Sequence, residues 1–189
     1  MLQFKDDKIW NAPNVLTMVR LLLVPLFVYL FLCGRVYASL AVFAVASLTD
    51  LLDGYIARRY HLVTNFGKLF DPLADKLMIL AVLTVLTIRE WVPVAVIIIV
   101  LVKEAIMLLG SVLVLKRGIV VQSVPIGKIA QAVFCLANVS AFFHPHWVET
   151  GFRLDTICFT VAVVLTLLAL GWYVRNTLIL VYGEKAKAS

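Results

Sequence analysis

The sequence predicts an all-α membrane protein with six transmembrane helices, an N-terminal interfacial segment and both termini in the cytoplasm. Hydrophobic residues make up 63% of the 189 residues, charged residues only 15%, and the mean hydropathy is +1.02. A soluble domain of this length could not cover so much apolar side chain with so few charges. Six segments are also long enough to cross a bilayer as helices of about 20 residues. We expect a single membrane domain over residues 1–189.

Proline and glycine mark the edges of these six segments. Pro13 precedes the first segment, Pro125 opens the fifth, and Gly34, Gly118 and Gly151 lie in connections. The predicted helices cover residues 15–34, 37–59, 67–88, 91–115, 124–144 and 156–180. Residues 1–13 form a juxtamembrane segment without an evident signal-peptide cleavage site, and residues 3–12 are either an interfacial helix or a polar tail.

The distribution of lysine and arginine predicts the orientation of the helices in the membrane. Basic residues are frequent before the first helix, after the sixth, and in the 2–3 and 4–5 connections: Lys5, Lys8, Arg58, Arg59, Lys68, Lys116, Arg117, Lys185 and Lys187. The positive-inside rule places these connections and both termini in the cytoplasm. The net charge of +6 is explained in this way, and because no basic stripe is present, we expect no nucleic-acid partner.

Four aspartates lie close together within these apolar segments: Asp50, Asp53, Asp71 and Asp75. Their i, i+3 and i, i+4 spacings put two carboxylates on one face of each of two helices. An ionised carboxylate at membrane depth costs about 3 kcal/mol, so four of them imply partners. A single aspartate could pair with a lysine such as Lys76, but four hard oxygen ligands favour one or two divalent cations such as Mg²⁺.

Small residues and an arginine accompany these aspartates. Gly54, Ala57 and Gly67 permit close approach of a backbone or a ligand, and Arg58 supplies a fixed positive charge that suits a phosphate. Divalent cations, an arginine and close backbone approach together indicate a pyrophosphate ligand. Asp75 is the candidate general base, because it lies about one helical turn deeper than Asp71.

The stretch DLLDGYIARRYHLVTNFGKLFDPLAD, which begins at Asp50, resembles the signature of the CDP-alcohol phosphotransferases. That signature is D-x-x-D-G-x-x-A-R-x(8)-G-x-x-x-D-x-x-x-D, and all eight fixed residues are present within 26. The resemblance continues in NAPNVLTMVR at the start of the first helix. The spacing of the six helices extends it over nearly the whole chain.

This resemblance implies a reaction in which a hydroxyl displaces CMP from a CDP-linked lipid. It implies that Asp50, Asp53, Asp71 and Asp75 hold two Mg²⁺ or Mn²⁺ ions, with Asp75 also the general base. Gly54, Ala57, Arg58 and Gly67 would line the CDP site. It further implies CDP-diacylglycerol as donor, a homodimer, and a bacterial cytoplasmic membrane with the active site facing the cytoplasm.

The acceptor hydroxyl is less clearly specified by the sequence. LVTNFGKLFDPLADK, from Leu62 to Lys76, resembles phosphatidylglycerophosphate synthases, whose acceptor is glycerol 3-phosphate. Those enzymes tend to have a second lysine and a threonine after Gly127 and Lys128, and this chain lacks both. A cardiolipin synthase, with phosphatidylglycerol as acceptor, is therefore the alternative. Arg20, Lys103 and Lys128 are the candidate acceptor-binding residues, although Lys103 could simply pair with the neighbouring Glu104 and Arg20 could extend to the membrane surface.

Two hypotheses of other classes are consistent with clustered aspartates. A cation transporter could use them as an ion relay, but no second acidic set lies in the outer halves of the helices. A non-catalytic lipid-binding scaffold would tolerate Asp75→Asn. Release of CMP from CDP-diacylglycerol distinguishes an enzyme from both.

Overall fold

The computed structural model describes residues 12–59, 65–115 and 125–183. All regular secondary structure within these ranges is helical, which confirms the predicted all-α class. The seven helices are α1 (Ala12–Leu32), α2 (Val36–Arg59), α3 (Asn65–Ile88), α4 (Val94–Leu115), α5 (Pro125–Ala141), α6 (His144–Thr150) and α7 (Leu154–Gly183). Residues 1–11, and with them nearly all of the predicted interfacial segment, lie outside the described ranges.

Six of these helices match the six predicted segments, with ends that differ by up to three residues. The fourth helix begins at Val94 and not at residue 91, after a turn in which Glu90 has a φ of 60° and Pro93 precedes the helix. The fifth prediction, 124–144, is wrong at its end because α5 stops at Ala141. Pro145 could not continue that helix, since its ring would clash with the carbonyl four residues earlier, and it lies instead in the first turn of α6.

Three stretches of the described chain are long and apolar enough to cross a membrane: Asn14–Leu32, Val94–Ser111 and Leu154–Ile179. The bent pair Ile126–Ala141 and His144–Thr150, at 73°, would add a fourth if it forms one span. α2 is apolar only over Val36–Asp50, and α3 has charged residues throughout its first half. The aspartates are among the charges that shorten both apolar stretches. The several apolar helices support an integral membrane protein, and the number of six spans stays a prediction.

The first of two compact units comprises α1, α2 and α3. α1 packs along both α2 and α3, whereas the described residues of α2 and α3 have little contact with each other. Phe27 and Phe31 of α1, Phe43 of α2 and Leu83 and Leu86 of α3 are buried in its core. α1 is thus the central helix of this unit. The two helices that contain the aspartates, α2 and α3, both pack mainly on α1.

The second unit comprises α4 to α7. α5 and α4 both pack against α7, and the rings of Phe134 and Phe159 meet edge to face with centroids 6.0 Å apart. The helix pair α6 and α7 is connected through Gly151, whose φ of 71° favours a residue without a side chain. Here the core is formed by α7 and the helices on either side of it.

Candidate metal and nucleotide site

The structure describes the side chains of three of the four aspartates. Asp50 lies in the second half of α2, and Asp71 and Asp75 lie in the first half of α3, one helical turn apart. All three are partly exposed. A partly exposed carboxylate inside an otherwise apolar bundle retains access for a ligand, which a fully buried one does not.

Arg20 of α1 contacts Asp50. The guanidinium Nη1 lies 2.6 Å from Asp50 Oδ1, and Arg20 is only 1% exposed. Its side chain therefore points toward the aspartates and does not extend to the membrane surface. A charged side chain is stable at such a position only when it is paired, and Asp50 supplies the opposite charge.

Thr17 of α1 contacts Asp71 of α3. Its hydroxyl Oγ1 donates a hydrogen bond to Asp71 Oδ1, and the residue is fully buried. Thr17 and Arg20 are three residues apart, so they occupy neighbouring positions on one helix face. With buried Asn14 they form a polar strip along the first two turns of α1. One face of α1 therefore contacts a carboxylate of α2 and a carboxylate of α3.

Sequence reasoning missed Thr17 as a site residue. In the sequence, Thr17 belongs to the NAPNVLTMVR stretch that carries part of the family resemblance, and that resemblance assigns it no separate role. The available signal was the spacing of Asn14, Thr17 and Arg20, three polar residues on one face of a helix that is otherwise apolar. Such a strip in a membrane helix requires polar partners, and the aspartates were the nearest candidates.

The predicted convergence of all four aspartates on one point stays a prediction. Among the described side chains, no group of three or more histidine, cysteine, aspartate or glutamate residues lies close enough to hold a metal ion. The side chain of Asp53 is outside the described set, as are Gly54, Ala57, Arg58 and Gly67 of the predicted CDP site. Within the described residues, α1 contacts a carboxylate of α2 and a carboxylate of α3.

The residues present fit a hard divalent cation. Asp50 and Asp71 offer carboxylate oxygens, the ligand type that Mg²⁺ and Mn²⁺ prefer. In each, a described contact from α1 engages one oxygen, Oδ1. A carboxylate can accept about four bonds in all, so these contacts leave capacity for an ion while limiting the orientation of the group.

Two of the predicted acceptor residues lie in the second unit. Lys103 Nζ contacts Glu104 Oε1 at 2.5 Å, so the neighbouring pair expected as the alternative is present. Lys128 lies in the first turn of α5 and is exposed. The acceptor roles of both lysines stay predictions, as does that of Arg20.

Comparison with known proteins gives a family match over most of the chain. The model of the CDP-alcohol phosphatidyltransferase family matches residues 10–182. The CDP-diacylglycerol--glycerol-3-phosphate 3-phosphatidyltransferase of Bacillus subtilis is 35% identical over 180 residues, which cover 86% of this chain and 92% of that protein.

Two further relatives match over shorter regions. The enzyme of the same name from Rickettsia typhi is 49% identical over 72 residues, 36% of this chain, so the match spans only 40% of that relative's length. The cardiolipin synthase (CMP-forming) of Streptomyces coelicolor is 40% identical over 119 residues, 60% of this chain and 55% of that protein. Because the family model covers most of its length, the chain belongs to the CDP-alcohol phosphatidyltransferase family.

Proposed function

We propose that this protein transfers a phosphatidyl group from CDP-diacylglycerol to glycerol 3-phosphate, giving phosphatidylglycerophosphate and CMP. Family membership supports the donor chemistry, and the Bacillus relative, matched over 92% of its length, supports the acceptor. The structural observation that carries the proposal is the contact of α1 with Asp50 and Asp71. It holds carboxylates from two helices against one helix face.

Two divalent cations, Mg²⁺ or Mn²⁺, would be held by Asp50, Asp53, Asp71 and Asp75. When bound, they neutralise the pyrophosphate and stabilise the charge that develops on the leaving phosphate. Arg58 would contact the same phosphates as a fixed positive charge. Gly54, Ala57 and Gly67 would let the nucleotide approach the helix backbones.

Asp75 would act as the general base. It takes the proton from the acceptor hydroxyl, and the hydroxyl oxygen forms a bond to the phosphorus next to the lipid. The bond from that phosphorus to the CMP oxygen breaks, and CMP leaves with the electron pair. Because the sequence offers no separate nucleophile, we expect direct displacement without a covalent enzyme intermediate.

Arg20, Lys103 and Lys128 are each candidates for binding the phosphate of the acceptor. Arg20 is a candidate for the acceptor phosphate because its guanidinium, with five N–H donors, lies against Asp50 of the proposed site. Lys103 would have to exchange its contact with Glu104 for the substrate, whereas Lys128 is already exposed. Lys128 is therefore the residue whose loss we expect to affect acceptor affinity most directly.

In the cell we expect one domain of six membrane spans with both termini in the cytoplasm. The distribution of lysine and arginine supports this orientation, which puts the aspartates at the cytoplasmic side of a bacterial cytoplasmic membrane. CDP-diacylglycerol would enter from the inner leaflet. A homodimer is expected from the family.

Cardiolipin synthesis, with phosphatidylglycerol as acceptor, is the second candidate. The match to the Streptomyces enzyme over 60% of this chain supports it, as does the absence from the sequence of a second lysine after Lys128. A phosphodiester acceptor has less charge than glycerol 3-phosphate and needs fewer cations.

Release of CMP from CDP-diacylglycerol tests both candidates. The purified protein is assayed in detergent with Mg²⁺ or Mn²⁺, and glycerol 3-phosphate, phosphatidylglycerol, serine and inositol phosphate are offered separately. Release that depends on glycerol 3-phosphate is expected. Release that depends on phosphatidylglycerol would identify a cardiolipin synthase, and no release with any acceptor would contradict the enzyme hypothesis. Asp75→Asn is the control for background hydrolysis.

A further inference from the structure

Thr17 differs from Thr84 and Thr160 in the partner of its hydroxyl. Thr84 donates to the carbonyl of Leu80 and Thr160 to that of Thr156, each one turn back in its own helix. This is the usual arrangement for a threonine within a helix. Thr17 donates instead to the carboxylate of Asp71, 54 residues away on another helix.

The neighbouring turn of α1 shows the same kind of contact toward α2. Arg20 lies 2.6 Å from Asp50, so consecutive polar residues on one face of α1 engage one carboxylate on each of the other two helices. Among the described residues, α2 and α3 have little contact with each other. α1 therefore helps to set the position of Asp50 and of Asp71.

From these contacts we infer that Thr17 is a positioning residue for the cation site, which acts by orienting the carboxylate of Asp71. Because the role of Asp71 as a cation ligand belongs to the proposed function, the role of Thr17 rests on it. In this role, Thr17 makes no direct contact with substrate or ion. Its hydrogen bond engages Oδ1 of Asp71 and so restricts rotation of the carboxylate, as outer-sphere partners of metal ligands do.

Substitution of Thr17 by valine tests this role with little change of shape. Valine removes the hydroxyl, and Thr17→Ser keeps it. Thr84→Val is the matched control, because it removes a hydroxyl that bonds only to its own helix. Mn²⁺ binding is measured on the full-length protein in detergent from the electron paramagnetic resonance signal of free Mn²⁺, without donor lipid or acceptor.

We expect Thr17→Val to weaken Mn²⁺ binding by about 10–100-fold, the usual effect of losing a partner of a metal ligand. Thr17→Ser and Thr84→Val should bind Mn²⁺ like the unchanged protein. Asp71→Asn is measured alongside. If Asp71→Asn loses binding and Thr17→Val does not, the inference about Thr17 is overturned while the proposed function stands. If Asp71→Asn binds Mn²⁺ normally, the proposed cation site itself is wrong, and the inference fails with it.

A second measurement covers the case in which Thr17→Val does not survive purification. The Mn²⁺ concentration for half-maximal CMP release is then determined in isolated membranes that contain Thr17→Ala. A rise of about 10-fold or more is expected. An unchanged value would overturn the inference, since that concentration does not depend on how much folded enzyme is present.

Discussion

Each unit of the molecule contains a contact between a carboxylate and a basic side chain, and the two differ in which partner is open to a ligand. In the first unit the cation is buried: the side chain of Arg20 is 2% exposed and that of Asp50 40% exposed. In the second unit the acid is buried: Asp155 is 1% exposed, with His144 Nδ1 at 2.5 Å and Arg153 Nε at 3.6 Å from its oxygens. The first contact leaves carboxylate surface accessible, and the second encloses it.

The basic partners of Asp155 are close to it in sequence: His144 begins α6, and Arg153 lies in the turn between α6 and α7. Thr156 also donates to its carboxylate, and the ring of Trp91 stacks on His144 with centroids 5.6 Å apart. A carboxylate with this many partners and so little exposure stabilises the fold. Asp50 contacts a residue 30 positions away and stays half open, which is the arrangement that ligand binding requires. Exposure of the acid thus separates a structural carboxylate from a candidate functional one.

The largest expected effect follows from removing Asp75, the proposed general base in the first unit. Asp75→Asn should lower the rate of CMP release by about 10²–10⁴-fold, the range for loss of a general base. Thermal stability in detergent should change much less, because Asp75 is partly exposed and asparagine has the same shape. An enzyme that keeps near-normal turnover would show that the base is elsewhere.

Loss of Asp155, the buried carboxylate of the second unit, should instead lower stability and leave activity unchanged. Asp155→Ala removes the acceptor for His144 and Arg153 and should lower the free energy of unfolding by about 3 kcal/mol, as expected for breaking a buried pair. Turnover per folded molecule should stay normal. Denaturant unfolding in detergent measures the loss, and Glu149→Gln, on exposed α6 surface, is the control. Equal stability of Asp155→Ala and Glu149→Gln would mean that the pair contributes nothing.

Arg20 should affect both stability and cation binding, because its guanidinium is buried while the carboxylate of its partner Asp50 is accessible. Arg20→Gln should raise the Mg²⁺ concentration for half-maximal activity by about 10-fold, through loss of the group that orients Asp50. The neighbouring Val19, an exposed apolar residue, supplies the control Val19→Leu. A change in acceptor KM with unaltered Mg²⁺ dependence would instead place Arg20 on the acceptor alone.

The smallest effect is expected from the packing of α4 on α7. A Cβ at Gly110 would lie 3.1 Å from both Cε1 and the hydroxyl oxygen of Tyr173, whose hydroxyl donates to the carbonyl of Met107. Gly110→Ala should therefore lower the free energy of unfolding by about 1 kcal/mol, the low end for overpacking. Activity at low temperature should not change. Gly171→Ala is the control, because nothing lies within 4 Å of a Cβ built there.

The helices and the aspartates could be predicted from the sequence because both depend on local patterns. Apolar length and proline and glycine positions gave six long helices, and the i, i+3 and i, i+4 spacings placed the carboxylates on helix faces. The contacts of Thr17 with Asp71 and of Arg20 with Asp50 join residues 54 and 30 positions apart. They depend on how α1 packs, which no local period specifies. The enclosure of Asp155 by His144 likewise follows from the bend after Ala141.

Mn²⁺ binding by the unchanged protein, Asp50→Asn and Asp155→Asn tests most directly the claim that the open carboxylates form the cation site. The unchanged protein and Asp155→Asn should bind Mn²⁺ equally in the electron paramagnetic resonance titration, whereas Asp50→Asn should bind at least about 10-fold more weakly. Normal binding by Asp50→Asn, or loss of binding in folded Asp155→Asn, would contradict the assignment of the site to the face of α1.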